Sequence, residues 1–89
     1  MYSNEIWSIG FDSSVRRALK RFTKKDARKV FAVFDELSVN PYSGDIEKLK
    51  GEENKWRRRV GAYRIFYKTY QESRTVLVVH IERRGSHTY

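Results

Sequence analysis

None of the 89 residues is cysteine, which excludes disulfides and thiol chemistry and leaves the redox compartment open. No apolar run approaches the roughly 20 residues of a membrane-spanning helix. The opening Met1-Tyr2-Ser3-Asn4-Glu5 has no basic segment followed by an apolar block. Neither a membrane span nor a secretory signal is therefore expected, and the chain reads as cytoplasmic. Repeats and low-complexity tracts are also missing, so residues 1–89 are read as one domain without a linker. Acidic residues are scarce in one region in particular. Residues 55–84 hold nine basic and two acidic residues, against ten and nine in residues 1–54. Nearly all of the net charge of +8 thus lies in the last third. A basic surface kept only for solubility would be spread more evenly, so the asymmetry points to an anionic partner, nucleic acid foremost.

What is present is globular in balance, with 39% hydrophobic and 34% charged residues. Residues 5–9 read as a short strand broken by Gly10, after which Asp12 or Ser13 can cap a helix. That helix carries an apolar stripe at Val15, Ala18, Leu19 and Phe22. Thr23-Lys24-Lys25-Asp26 resembles a capping box with Asp for the usual Glu, and starts a second helix with Ala27, Val30, Phe31, Phe34 and Leu37 on one face. Pro41, the single proline, ends it. Residues 45–55 read as a polar connection. Three strands follow: Trp56–Val60, Tyr63–Tyr70 and Thr75–Arg83, the last apolar on both faces as an interior strand should be. The order β-α-α-β-β-β predicts an α+β domain, an antiparallel helix pair packed on a small, twisted, mainly antiparallel sheet.

The most informative stretch is Trp56-Arg57-Arg58-Arg59-Val60-Gly61-Ala62-Tyr63-Arg64-Ile65-Phe66-Tyr67. It reads as two strands joined by a tight glycine turn. Period-2 alternation places Arg57 and Arg59 on one face of the first strand, with Arg64 just past the turn on the next. Guanidiniums held on a sheet are permanently charged forks that match phosphate geometry.

These residues, preceded by Lys48-Leu49-Lys50-Gly51 and followed by Val78-Val79-His80-Ile81-Glu82-Arg83-Arg84 and Tyr89, resemble the RelE/ParE superfamily of toxin–antitoxin toxins. The resemblance covers nearly the whole chain. It implies a type II toxin neutralised by a cognate antitoxin, and, in the RelE and YoeB branch, an endonuclease that enters the ribosomal A site and cuts mRNA there. The implied reaction is attack of a ribose 2′-OH on the adjacent phosphorus, with neither metal nor other cofactor. Carried over, Arg64 contacts the scissile phosphate, and Arg57 and Arg59 occupy basic positions beside it. Arg83 matches a C-terminal arginine, with Arg84 as the alternative. Tyr89 stacks on or activates the substrate, His87 resembles the near-terminal histidine of the YoeB branch, and Glu47 resembles that branch's general base. Arg58, Lys48, Lys50 and Arg84 complete the expected phosphate-binding set.

The chemistry requires a base for the 2′-OH, charge stabilisation at phosphorus and an acid for the 5′-oxygen. Arginines serve the second need and are poor acids. His87 is the natural acid and Glu47 the natural base, although a guanidinium beside Glu47 would weaken it. His87 as the base, with an arginine or water at the leaving oxygen, is the alternative. His80, inside an apolar strand, reads as a structural histidine, and Trp56 and Tyr63 read as packing residues. The lysines and arginines of the helices read as a solvated face able to grip ribosomal RNA phosphates. Two other functions fit the same charge pattern: a ParE-like gyrase inhibitor and a non-catalytic RNA-binding module.

Overall fold

The computed structural model describes residues 6–83. The elements are β1 (Ser8–Phe11), α1 (Ser13–Leu19), α2 (Lys24–Val39), β2 (Ile46–Lys48), β3 (Lys55–Val60), β4 (Tyr63–Tyr70) and β5 (Thr75–Arg83). They form one five-stranded sheet in the order β1-β5-β4-β3-β2, with β1 parallel to β5 and every other neighbour antiparallel. Both helices cover one face of this sheet, giving the α+β class. The opposite face is uncovered among the described residues.

Local chemistry sets the helix starts. Asp12 caps α1, its carboxylate accepting from the Ser13 amide at 2.9 Å. Thr23 caps α2, its hydroxyl accepting from the Asp26 amide at 3.1 Å. Asp26 does not complete the expected box; its carboxylate accepts the Tyr63 hydroxyl at 2.7 Å, tying the first turn of α2 to β4. Burial and this bond both raise the Tyr63 pKa. Beyond α2, the Pro41 carbonyl accepts the buried Tyr67 hydroxyl at 2.5 Å. Burial raises the Tyr67 pKa strongly.

The core lies between the helices and the covered face of the sheet. Val15 comes from α1, and Val30, Val33, Phe34 and Leu37 come from α2. Tyr63, Ile65 and Tyr67 come from β4, and Val76, Val78 and Ile81 from β5. Full burial of each such aliphatic side chain contributes about 1.5–3 kcal/mol. The exposure on β4 alternates strictly, as the period-2 rule demands. Val60 pairs with Tyr63 across Gly61-Ala62, and Gly61 has φ +56°, the positive value that a two-residue hairpin turn requires.

Four expectations are corrected. The first strand runs through Gly10 to Phe11, because the parallel register Ser8–Thr75 to Phe11–Val78 decides its extent. The supposed polar connection contains β2, whose Ile46, Glu47 and Lys48 pair with Arg58, Arg57 and Trp56; three residues are too few to show a period. On α2 the buried position is Val33, while Phe31 is 48% exposed. The fourth concerns β5. Phe66 pairs with His80 but Tyr67 pairs with Val78, so Val79 is an extra residue, a β-bulge. Val78 and Ile81 both face the core although three positions apart, and His80 is turned outward.

Candidate functional site

The three consecutive arginines of β3 part company by the pleat. Arg58 points to the covered side, where it is 8% exposed. Its guanidinium donates to the Glu36 carboxylate of α2 at 2.7 Å and to the Ser43 carbonyl at 3.2 Å. It fills the space above Gly44, whose φ is +84° and which has no room for a Cβ. Arg58 thus clamps the end of α2 to the sheet and is withdrawn from the expected phosphate-binding set. Arg57 and Arg59 project from the open face, as alternation predicts.

On that face the register builds two adjacent rows. One runs Glu47, Arg57, Phe66, His80 across β2, β3, β4 and β5. The other runs Arg59, Arg64, Glu82 across β3, β4 and β5. Arg64 stands centrally, directly opposite Arg59 on one side and Glu82 on the other. Each of these arginines meets a carboxylate. Arg57 is ion-paired with Glu47, Arg59 with Asp45 at 3.2 Å and Arg64 with Glu82 at 3.2 Å. Below them Glu52 lies 3.7 Å from Lys55 and 3.5 Å from Lys68. The excess charge of the last third is therefore partly matched by acids folded in from residues 45–52. A hollow lined by Asp45, Ile46, Glu47, Arg57 and Arg59 lies at the β2–β3 end.

These pairs hold the guanidiniums in place while leaving donors to spare. An arginine carries five N–H donors, more than one carboxylate can accept from; the Nε of Arg57, of Arg64 and of the inward-turned Arg58 is buried without an acceptor among the described residues. The arrangement can thus bind phosphate and stabilise charge developing on it. Among the described residues no cluster of three or more His, Asp or Glu side chains has the arrangement of a metal site.

The other expected residues divide. Glu47 is on the open face, but on β2, two strands from Arg64. Lys48 is exposed and pairs with Trp56, which puts it on the other parity, and Lys50 is exposed in the turn that follows. Arg83 pairs with Tyr63 and its guanidinium lies 5.9 Å from that ring, on the opposite parity from Arg64. Arg84, His87 and Tyr89 lie outside the described residues. Trp56 and Tyr63 are packing residues, Trp56 against Tyr42 and Tyr63 stacked on Phe22.

The residue that the sequence reading missed is His80. It is not structural: its side chain is 56% exposed, it packs on Phe66 with ring centroids 5.4 Å apart, and its Nε2 lies 3.4 Å from the Glu82 carboxylate. Alternation counted from Val76 and Val78 puts His80 inside; the bulge at Val79 reverses it. Alternation counted back from Glu82 would have found it.

A model of the family described as the ParE toxin of the type II toxin–antitoxin system, parDE, matches residues 6–87. A Methanocaldococcus jannaschii protein assigned as a RelE toxin is 26% identical over 81 residues, spanning 88% of this chain and 90% of that one. The fold is similar to that of the archaeal RelE–RelB complex from Pyrococcus horikoshii OT3, with TM-score 0.79 and 23% identity over 91% of this chain and 98% of that chain. It is also similar to the RelB–RelE antitoxin–toxin complex from Methanococcus jannaschii, with TM-score 0.70 and 26% identity over 86% and 92%. With the family model spanning every described residue and the same two-helix, five-strand architecture behind it, this chain belongs to the RelE/ParE superfamily of type II toxin–antitoxin toxins.

Proposed function

We propose that this toxin is a ribosome-dependent mRNA endonuclease that cuts in the A site by attack of a ribose 2′-OH on the adjacent phosphate. The observation that carries this reading is the central position of Arg64 between Arg59 and Glu82 on an uncovered sheet face, with Arg57 diagonal to it. Arg64 binds the scissile phosphate. Arg57 and Arg59 flank it and stabilise the extra negative charge of the phosphorane. Preorganised donors of this kind form the largest single contribution in many enzymes. The carboxylates already in place spare the arginines from reorganising during the reaction. His87 protonates the leaving 5′-oxygen and Tyr89 stacks on the substrate, both contributed by the C-terminal segment. Glu47 holds Arg57 in position. Lys48, Lys50, Arg83 and Arg84 reach ribosomal or mRNA phosphates around the site. The partners are mRNA, the ribosome and a cognate antitoxin, in keeping with relatives solved as complexes of RelE with RelB.

The test is incubation with programmed ribosomes carrying a defined A-site codon, with mRNA ends mapped by primer extension. A discrete cut within the codon is expected, and Arg64→Ala should lower its rate about 10²–10³-fold without loss of fold. Intact mRNA with folded wild-type protein would overturn the reading.

The match to a ParE family model favours a second reading, inhibition of DNA gyrase. It predicts inhibited supercoiling by purified gyrase and no cut in ribosome-bound mRNA.

A further inference from the structure

Among the described residues the open face carries one imidazole, that of His80, and nothing in the mechanism above uses it. His80 stands on β5, the strand next to Arg64, and diagonal to it: Arg64 faces Glu82, and Phe66 faces His80. Diagonal positions on an antiparallel pair are about 7–8 Å apart, the span of one phosphodiester between two side chains. One carboxylate joins the two groups. Glu82 accepts from Arg64 through Oε2 at 3.2 Å and contacts His80 Nε2 through Oε1 at 3.4 Å. The Phe66 ring packs on the imidazole from β4. The ring is thus braced from two sides while more than half of its surface stays open to an incoming strand.

Glu47 has no such placement. It lies at the far end of the same row, three strand spacings from His80, and from Arg64 it is two strand spacings, about 10 Å, plus a two-residue offset along β4. Its carboxylate is already ion-paired with Arg57. Asp45 and Glu82 are ion-paired with Arg59 and Arg64. Imidazole is the side chain suited to move a proton between about pH 5 and 8. The bulge at Val79, which turns His80 outward, is the kind of local irregularity that re-aims a side chain beside an active site.

The geometry points to His80 as the general base that takes the 2′-OH proton of the nucleotide bound at Arg64. This rests on the endonuclease reading. In the step, neutral His80 accepts the proton as the 2′-oxygen bonds to phosphorus. The bond from phosphorus to the 5′-oxygen breaks, and that oxygen takes a proton from His87. The products are a 2′,3′-cyclic phosphate and a 5′-OH, with no water consumed and no oxidation. Charged groups around the imidazole are Glu82 on its own strand, Arg64 and Lys68 diagonal to it on β4, and Asp12 where β1 leads into α1. The Asp12 amide bonds the Val78 carbonyl at 3.0 Å, and the Asp12 carboxylate is occupied by Ser13 and Ser14. Among the described residues no charged side chain of α1 is paired with His80.

The test compares wild type, Arg64→Ala, His80→Gln and His80→Phe on programmed ribosomes from pH 5.5 to 8.5, with ribosome binding and thermal unfolding measured alongside. Wild-type cleavage should rise with pH as the base His80 becomes available and fall again as the acid His87 loses its proton, a bell-shaped profile. Both His80 variants should fold and bind as wild type, cleave about 10²–10⁴-fold more slowly and lose the rising limb. His80→Phe keeps an aromatic on Phe66, so cleavage restored by it would assign His80 to packing and overturn the proposal. A slower variant that keeps the wild-type rising limb would overturn it too. If Arg64→Ala fails while His80→Gln cuts at the wild-type rate, this inference falls and the nuclease reading stands. If wild type makes no cut, both fall.

Discussion

On the helix-covered face of the sheet, Arg58 is buried and its guanidinium is spent on Glu36 of α2 and a loop carbonyl. One residue to either side, Arg57 and Arg59 stand on the open face with carboxylates of β2 and its approach, their side chains 26% and 47% exposed. The three share a charge, a strand and a sequence run, and differ in parity alone. An arginine turned inward becomes a clamp, because burial of its charge is offset by a carboxylate and a carbonyl that take its terminal donors. An arginine turned outward, held by an acid but not enclosed by it, stays available to phosphate. The same rule separates Arg64 from its neighbours Tyr63 and Ile65 on β4.

The largest effect expected of this division is on activity. Arg64→Ala should remove about 10²–10³ of the cleavage rate while the thermal midpoint stays put; a large drop in midpoint would show that the open face also carries stability. Next comes the direct contrast within β3. Arg58→Ala strips the clamp and leaves the part-buried Ser43 carbonyl without its guanidinium donor, at about 1–3 kcal/mol in denaturant unfolding, and cleavage per folded molecule should persist. Arg57→Ala should do the reverse, changing stability by no more than about 1 kcal/mol because its pair is exposed, while weakening RNA-dependent activity. Equal behaviour of the two variants would erase the distinction between the faces.

A smaller effect sharpens the covered face alone. Tyr63 and Tyr67 have raised pKa values in the fold, so the folded state keeps phenolic protons that the unfolded chain releases near pH 10. Their contribution is full below that pH and is lost as pH rises above it. Urea titrations from pH 9 to 11 should show falling stability, with a shallower fall in Tyr67→Phe. The smallest is Glu52→Gln, which removes two exposed ion pairs with Lys55 and Lys68 and should cost about 0.2–1 kcal/mol, diminishing as salt is added.

The main strands were legible because their alternation is strong. Tyr63–Tyr70 and Thr75–Arg83 have the bounds the pattern indicates, and Asp12 and Thr23 cap as their side-chain chemistry suggests. β2 was not legible, since Ile46, Glu47 and Lys48 become a strand only by pairing with β3. Of the candidate site, Arg57, Arg59 and Arg64 were brought together as alternation implied. Arg58 was assigned wrongly to that set because a run of like residues conceals the pleat until one face is known to be covered. His80 was misread because one extra residue at Val79 flips the period, and a bulge has no signature in a strand of β-branched residues.

Composition and local spacing thus settle the element order, the caps, the glycine turn and the placement of positive charge on strands, because each depends on neighbours within a few residues. Which arginine is a clamp and which a ligand, which acid balances which cation, and where the imidazole points are decided by pairing between distant segments. Asp45, Glu47 and Glu36 reach β3 from 14, 10 and 22 residues away. Such contacts exist only where the fold brings distant segments together, and the covering of one sheet face by the helices, through the cost of leaving a charge unpaired in the dry interior, separates the two sides of the molecule.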